Sequence, residues 1–281
     1  TPDMPPILTS LLDTDAYKLH MQQAVFHRYP DADVVAEFHS RNEEDLLPMM
    51  GQIEEQLRLA GSLRLTRPEL NFLAERPFFT ADYLDHLRRK PLDASLLKVF
   101  EQDGRINVRV EGPWQDVILW EIPVLAIISE MRNRFRYPQF GVSQALERLD
   151  QKIDKLEREL SREEMTEFNL IDFGTRRRFS RAWHDEVLRV LSAKLGTVQS
   201  PGNAAGRPGQ LAGTSNVLLA MKLGLTPLGT MAHEYLQASQ ALGPRLRDSQ
   251  IFAFESWARE YRGDLGIALS DVYGMNAFLR D

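Results

Sequence analysis

Apolar positions recur with helical spacing almost from the start of the chain. In DAYKLHMQQAVFHRY, Tyr17, His20, Met21, Ala24 and Val25 follow a 3.6-residue repeat, and Asp13 or Thr14 stands where a helix cap would. VVAEFHSR (34–41) alternates instead and predicts a strand. EDLLPMMGQIEEQLRLAG and RPELNFLAERPFFTADYLDHLRRK read as helices interrupted at prolines. RINVRVEG (105–112) alternates cleanly and predicts another strand. WQDVILWEIPVLAIISEMRNRFRY is apolar on most sides, which suits a strand or turn feeding a buried helix. From Gly141 to about Glu167, acids and bases lie three and four apart in QALERLDQKIDKLERELSREE, the pattern of a solvated helix.

Beyond that helix the rhythm changes. FNLIDFGTR, QLAGTSN, LTPLGTMAHE and LGIALSD each place a short apolar run before a turn, with amphipathic stretches such as SRAWHDEVLRVLSAKL between them. Strands alternating with helices predict βα units and a parallel sheet or barrel, in which chemistry gathers on the loops after the strands. The fold class expected is α/β. Four units are visible where a closed barrel takes about eight strands, so the barrel is expected to be incomplete. The Gly- and Pro-rich stretch GTVQSPGNAAGRPGQLAG (196–213) reads as a loop interrupting the second unit.

Composition narrows the function classes. Hydrophobic residues at 43% and charged residues at 26% describe a folded globular chain. Lysines and arginines number 34 against 40 acids, a net charge of −6, so no overall positive field exists to hold nucleic acid or an anionic membrane. With no cysteine, disulfides and thiolate chemistry are excluded. The first residues carry neither a basic segment nor a long apolar run, and no membrane-spanning stretch is visible. A cytoplasmic protein is expected.

The candidate chemistry lies on the βα loops. In DFGTRRRFS, Gly174 permits a sharp turn and Ser180 can cap the next helix, placing Arg176, Arg177 and Arg178 where guanidinium forks and helix dipole both favour phosphate. The same run also suits surface charge paired with nearby acids. Thr214 and Ser215 in GTSN can present hydroxyls and amides to an oxyanion, or simply cap a helix. His233, beside Glu234, has an imidazole able to act as base, metal ligand or phosphate acceptor; a packed or surface histidine reads the same. No pair among the six histidines has metal-ligand spacing. Asp271 ends the last apolar run, where a carboxylate can hold ribose hydroxyls or Mg²⁺, or cap a helix.

Taken in order, DTDAYK, VAEFHSR, GPWQDVILWEIPVLAIISE, DFGTRRRFSR, GTSN, LTPLGTMAHE, LGIALSD and MNAFLRD resemble nicotinate phosphoribosyltransferases. The resemblance implies an N-terminal α/β domain, here over residues 1–140, and a partial α/β barrel of the type II phosphoribosyltransferase kind over 141–281, usually in a homodimer with sites across the subunit interface. It implies conversion of nicotinate and phosphoribosyl pyrophosphate to nicotinate mononucleotide and pyrophosphate, with coupled ATP hydrolysis and Mg²⁺, in NAD salvage, and neither nucleic-acid nor membrane partners. Tyr17, from the other subunit, and Phe173 would sandwich the pyridine ring. Arg176 would bind phosphate, Arg41 pyrophosphate and Asp271 the ribose, and His233 would be the residue phosphorylated by ATP. Ser215 stands where the nicotinamide-using relatives carry an aspartate, which favours the acid as substrate. The family continues past FLRD into further barrel motifs. The alternatives left open are a truncated or non-catalytic relative that binds pyridine or phosphate ligands, or acts as a partner subunit.

Overall fold

In the computed structural model, residues 4–40, 46–90, 92–197 and 209–281 are described. After an N-terminal stretch come α1 (Ala16–Arg28), β1 (Asp33–His39), α2 (Met50–Ala60), α3 (Arg67–Ala74), α4 (Ala81–Arg89), β2 (Leu97–Gln102) and β3 (Arg105–Pro113). A short helix α5 (Trp114–Val117) leads into α6 (Glu121–Arg136), then α7 (Val142–Glu159) and α8 (Arg162–Glu167). The second half continues with β4 (Asn169–Asp172), α9 (Arg181–Leu195), β5 (Gln210–Thr214), α10 (Val217–Leu223), α11 (His233–Leu242), α12 (Ser249–Tyr261) and α13 (Met275–Arg280).

The strands β1, β3 and β2 form an antiparallel sheet in that order, with β3 central. Its register pairs Phe38 and Val99 with Val108, and Ala36 and Leu97 with Val110. These share a face with Ile106, and the face turns inward: Ile106, Val108 and Val110 are all buried. Strands β4 and β5 are parallel and joined through α9, a βα unit as the alternating pattern predicts. Mixed α/β architecture is therefore present in both halves.

The later strands depart from the expectation. The third run contributes a single parallel bridge, Thr214 to Pro227, and the fourth, 265–271, forms no strand. Ile267 is 74% exposed, and its carbonyl accepts from the Thr230 hydroxyl at 2.7 Å rather than from a neighbouring strand. A segment with no strand beside it among the described residues has no ladder to join. Of the loop expected over 196–213, residues 210–213 belong to β5, and 198–208 lie outside the described residues. Close approach fixes Gly213, because a Cβ there would stand 2.3 Å from the Thr226 carbonyl oxygen.

Helix α1 is buried on all sides from Ala16 to Val25, polar residues included. Its sequence looks amphipathic because those polar side chains are spent on neighbours rather than on water. Gln22 donates to the Gln115 carbonyl at 2.7 Å, Gln23 to the Phe78 carbonyl at 2.9 Å, and His20 Nδ1 meets the Thr230 carbonyl at 3.1 Å. Asp13 and Thr14 do not cap this helix. Asp15 occupies the N-cap position without a side-chain cap bond, and Asp13 is engaged elsewhere.

Burial pushes the His20 imidazole down to about 4, against the backbone hydrogen bonds at Thr230 and Gly229 that favour its charge. Between its ordinary value near 6.5 and about 4 the unfolded chain binds a proton that the native chain does not. Stability therefore falls as pH drops through that window, by up to about 3 kcal/mol. In urea unfolding from pH 7 to 4, His20→Gln is expected to flatten this slope. An unchanged slope would assign the acid sensitivity to other groups.

Candidate active site

The site begins with a backbone zipper. Ala16 N–H donates to the Ser215 carbonyl at 2.7 Å, Val217 N–H to the Thr14 carbonyl at 3.0 Å and Leu218 N–H to the Leu12 carbonyl at 2.8 Å. DTDAYK and GTSN, far apart in sequence, are thus bound edge to edge. Ser215 N–H in turn donates to the Asp172 carbonyl at 2.8 Å, which draws in the loop after β4.

Side chains lock these segments together. Asp15, fully buried, accepts from the Tyr17 hydroxyl at 2.8 Å and from the Ser215 hydroxyl at 2.6 Å. Asp13 takes both arms of the Arg178 guanidinium, at 2.7 and 2.8 Å, and the Asn216 amide at 2.8 Å. Burial works against charge on both partners, but their mutual attraction outweighs it: the Asp13 carboxyl is held below its usual range and Arg178 above its own. Asp172 accepts from the Thr214 hydroxyl at 2.6 Å, from His184 Nε2 at 2.7 Å and from Gly174 N–H at 3.0 Å.

The three arginines go three ways. Thr175–Arg177 is a 3₁₀ turn, whose successive side chains point about 120° apart. Arg178, just past it, is buried against Asp13; Arg177 is exposed; Arg176 is half-buried and donates to Glu121 at 3.1 Å. Helix α6 clamps the same loop: Ser129 and Asn133 donate to the carbonyls of Arg178 and Phe179 at 2.8 and 3.0 Å, and Glu130 accepts from Arg181 N–H at 2.8 Å. Ser180 caps α9 as its position predicts, accepting from Trp183 N–H at 3.1 Å.

On the neighbouring segment, His233 opens α11 with Nε2 2.9 Å from Asp271 Oδ1, both side chains at least half exposed. Glu234, next to it, accepts from Trp114 Nε1 at 2.9 Å and pairs with Lys18. Tyr17, buried at the ring, has an elevated phenol pKa because it is desolvated and faces Asp15. Its ring packs on Gly229 of the turn leading to His233.

Two family descriptions match the chain: the nicotinate phosphoribosyltransferase N-terminal domain over residues 12–129, and the nicotinate phosphoribosyltransferase family over residues 168–281. The nicotinate phosphoribosyltransferase of Verminephrobacter eiseniae is 54% identical over 98% of this chain and 67% of its own length. The chain belongs to the nicotinate phosphoribosyltransferase family. The Edwardsiella ictaluri nicotinate phosphoribosyltransferase is 47% identical over the whole chain and 67% of its own length. A crystal structure of nicotinate phosphoribosyltransferase from Vibrio cholerae superposes with a TM-score of 0.89 at 35% identity, covering 99% of this chain and 63% of that one. The chain thus spans about two thirds of the nicotinate phosphoribosyltransferases it matches.

For this nicotinate phosphoribosyltransferase family member, the sequence-derived site residues divide. Tyr17, Arg176, Ser215 and Thr214 stand on one connected network, with His233 and Asp271 on the adjoining segment. Phe173 is exposed at 51%, beside the network rather than in it. Arg41 lies outside the described residues. Tyr17, expected to reach in from a second subunit, has its hydroxyl on Asp15 of its own chain. Two of the expected groups have partners within the chain. Thr214 and Ser215, expected to offer hydroxyls and amides to an oxyanion, are fully buried with those donors already committed. Of the arginine run, Arg178 is buried and paired with Asp13 through both arms of its guanidinium. Sequence reasoning missed Asp13, Asp15, Lys18, Glu121, Asp172 and His184, although DTDAYK itself contains three of them. An acid-rich motif that opens a buried helix is the signal that was there.

Proposed function

We propose that the chain converts nicotinate and phosphoribosyl pyrophosphate to nicotinate mononucleotide and pyrophosphate, with ATP hydrolysed through His233, as a step of NAD salvage in the cytoplasm. The observation that carries this reading is the convergence of DTDAYK, DFGTR and GTSN on one buried polar network beside the exposed His233–Asp271 pair. No described helix is long and apolar enough to cross a membrane.

In the transfer, the pyridine nitrogen of nicotinate bonds to the ribose C1 as the C1–oxygen bond breaks, and pyrophosphate departs with the electron pair. No protein nucleophile is needed. Phe173 offers an exposed ring for stacking against the pyridine, in an offset or edge-on arrangement. Arg176, half-exposed and engaged among the described residues by one hydrogen bond to Glu121, retains donors for the donor's phosphate. Tyr17 backs this loop, its charge environment set by Asp15 and Arg176.

An ionised Asp271 can only accept, so it holds the proton of His233 on Nε2 and leaves the Nδ1 lone pair free to attack the ATP γ-phosphorus, with ADP leaving. The N-terminus of α11 has no side-chain cap, so its amides and dipole favour the phosphoryl group placed there. In this reading Asp271 orients His233 rather than holding ribose. Mg²⁺ enters as part of the phosphate substrates, whose oxygens are its natural ligands. Among the described residues no group of three acids or histidines could cage it. A homodimer is proposed on the family resemblance.

The deciding experiment follows nicotinate mononucleotide by chromatography with purified protein, both substrates, Mg²⁺ and ATP; absence of product from folded protein would overturn the proposal. His233→Ala is expected to abolish product-linked ATP hydrolysis and leave a slow ATP-independent transfer. Unchanged ATP hydrolysis in that variant would remove His233 from its role.

A further inference from the structure

One buried cation has no part in the proposed reaction. Lys18, in the second turn of α1, has its side chain 1% exposed, yet it meets two carboxylates: Glu121 at the start of α6, and Glu234, next to His233 at the start of α11. Each carboxylate is anchored again through its other oxygen, Glu121 by Arg176 at 3.1 Å and Glu234 by the Trp114 indole at 2.9 Å. The result is a continuous charge chain from Arg176 through Glu121 and Lys18 to Glu234, one residue from His233. Burial opposes the ammonium charge, but Glu234 and Glu121 together hold its pKa above the ordinary lysine value.

The geometry is that of a shared cation between two competitors. Both glutamates are about one-third exposed, while the ammonium between them is closed off. A phosphoryl group at His233 adds about −1.5 to −2 of charge at neutral pH. Placed one residue from Glu234, that charge would pull the ammonium toward α11. Its hold on Glu121 would weaken, changing how Glu121 shares its charge with Arg176. The local change at one segment thereby reaches a residue on another through a physically contiguous path.

We propose that Lys18 is a positioning residue that couples the phosphorylation state of His233 to the placement of Arg176, and so to the affinity for the phosphoribosyl donor. This rests on the proposed reaction. Lys18 itself touches neither substrate; it acts through the two glutamates.

The test compares wild type with Lys18→Met, Lys18→Arg and Glu234→Gln, reading ATP hydrolysed per mononucleotide formed, the KM of the donor with and without ATP, and radiolabelled phosphohistidine. In Lys18→Met, phosphohistidine still forms, but the donor KM no longer differs with and without ATP, and ATP consumed per product rises by about fivefold or more. Lys18→Arg, which keeps the charge, restores most of the coupling. Glu234→Gln keeps the hydrogen-bonding shape while removing the charge on the α11 side, so it shifts the ratio in the same direction; it decides the matter if Lys18→Met does not fold. Wild-type ratios in the folded variants overturn the coupling while leaving the reaction intact. A wild-type chain that forms no mononucleotide overturns the reaction and this inference with it.

Discussion

Asp13→Ala is expected to cost about 3–5 kcal/mol of folding stability, because it leaves the Arg178 guanidinium buried without its counter-charge. The two side chains are only 1% and 2% exposed, so water cannot take over the lost partner. The Asn216 amide loses an acceptor as well. Removing both charges is a different matter: Asp13→Ala combined with Arg178→Met replaces the pair with apolar atoms and should recover much of the single-variant loss. Urea unfolding followed by tryptophan fluorescence measures both. A single-variant loss below about 1 kcal/mol would mean that the pair is solvated in solution, contrary to its burial. The pH dependence has a fixed sign. Because the folded carboxyl is held below its ordinary value near 3.8, its stabilisation is complete above that value and is lost as pH falls through the lowered one. The variant should therefore show a weaker acid dependence below pH 4 than wild type.

This ion pair also explains what was legible in the sequence and what was not. The alternation in β3 was readable because one face of the sheet is buried, and a period of two follows directly from that. The Ser180 cap was readable because capping is local: donor and acceptor lie three residues apart. Arg178 was not readable, since its partner is 165 positions away and nothing in RRR separates a buried guanidinium from an exposed one. The 3₁₀ turn makes that separation, sending neighbouring arginines in different directions. Helix α1 failed in the opposite sense. Its polar residues mimicked a solvent face, whereas Gln22, Gln23 and His20 each had a specific partner on a distant segment. The fourth apolar run, 265–271, carries strand propensity that goes unexpressed without a strand beside it. Motif order, by contrast, identified the family correctly, because order is a property of the whole chain and no single contact needs to be known to read it.

Ser215→Asp is the second large expected effect, and the structure changes its reason. The sequence suggests that an aspartate here would repel the carboxylate of nicotinate directly. In the fold the Ser215 side chain is fully buried, and its hydroxyl donates to Asp15 at 2.6 Å. An aspartate would put a second carboxylate against the first, and two such groups in one desolvated site cannot both be ionised without a heavy penalty, so one of them must take up a proton. A loss of about 2–4 kcal/mol at pH 7 is expected, shrinking as pH falls toward 5 and the shared proton becomes easier to supply. Ser215→Ala merely removes one donor from Asp15 and should cost about 1–2 kcal/mol with little pH dependence over the same range. The charge argument survives in a modified form. Asp15 already contributes one negative charge near Tyr17, and any ionised fraction of the introduced carboxyl would raise the KM for nicotinate more than that for nicotinamide. Assaying both pyridines at pH 5.5 and 7.5 separates the effects: a preference shift that grows with pH follows the added charge. Equal losses for both substrates at both pH values would mean that Ser215 supports the fold of the site and has no part in selecting the acid.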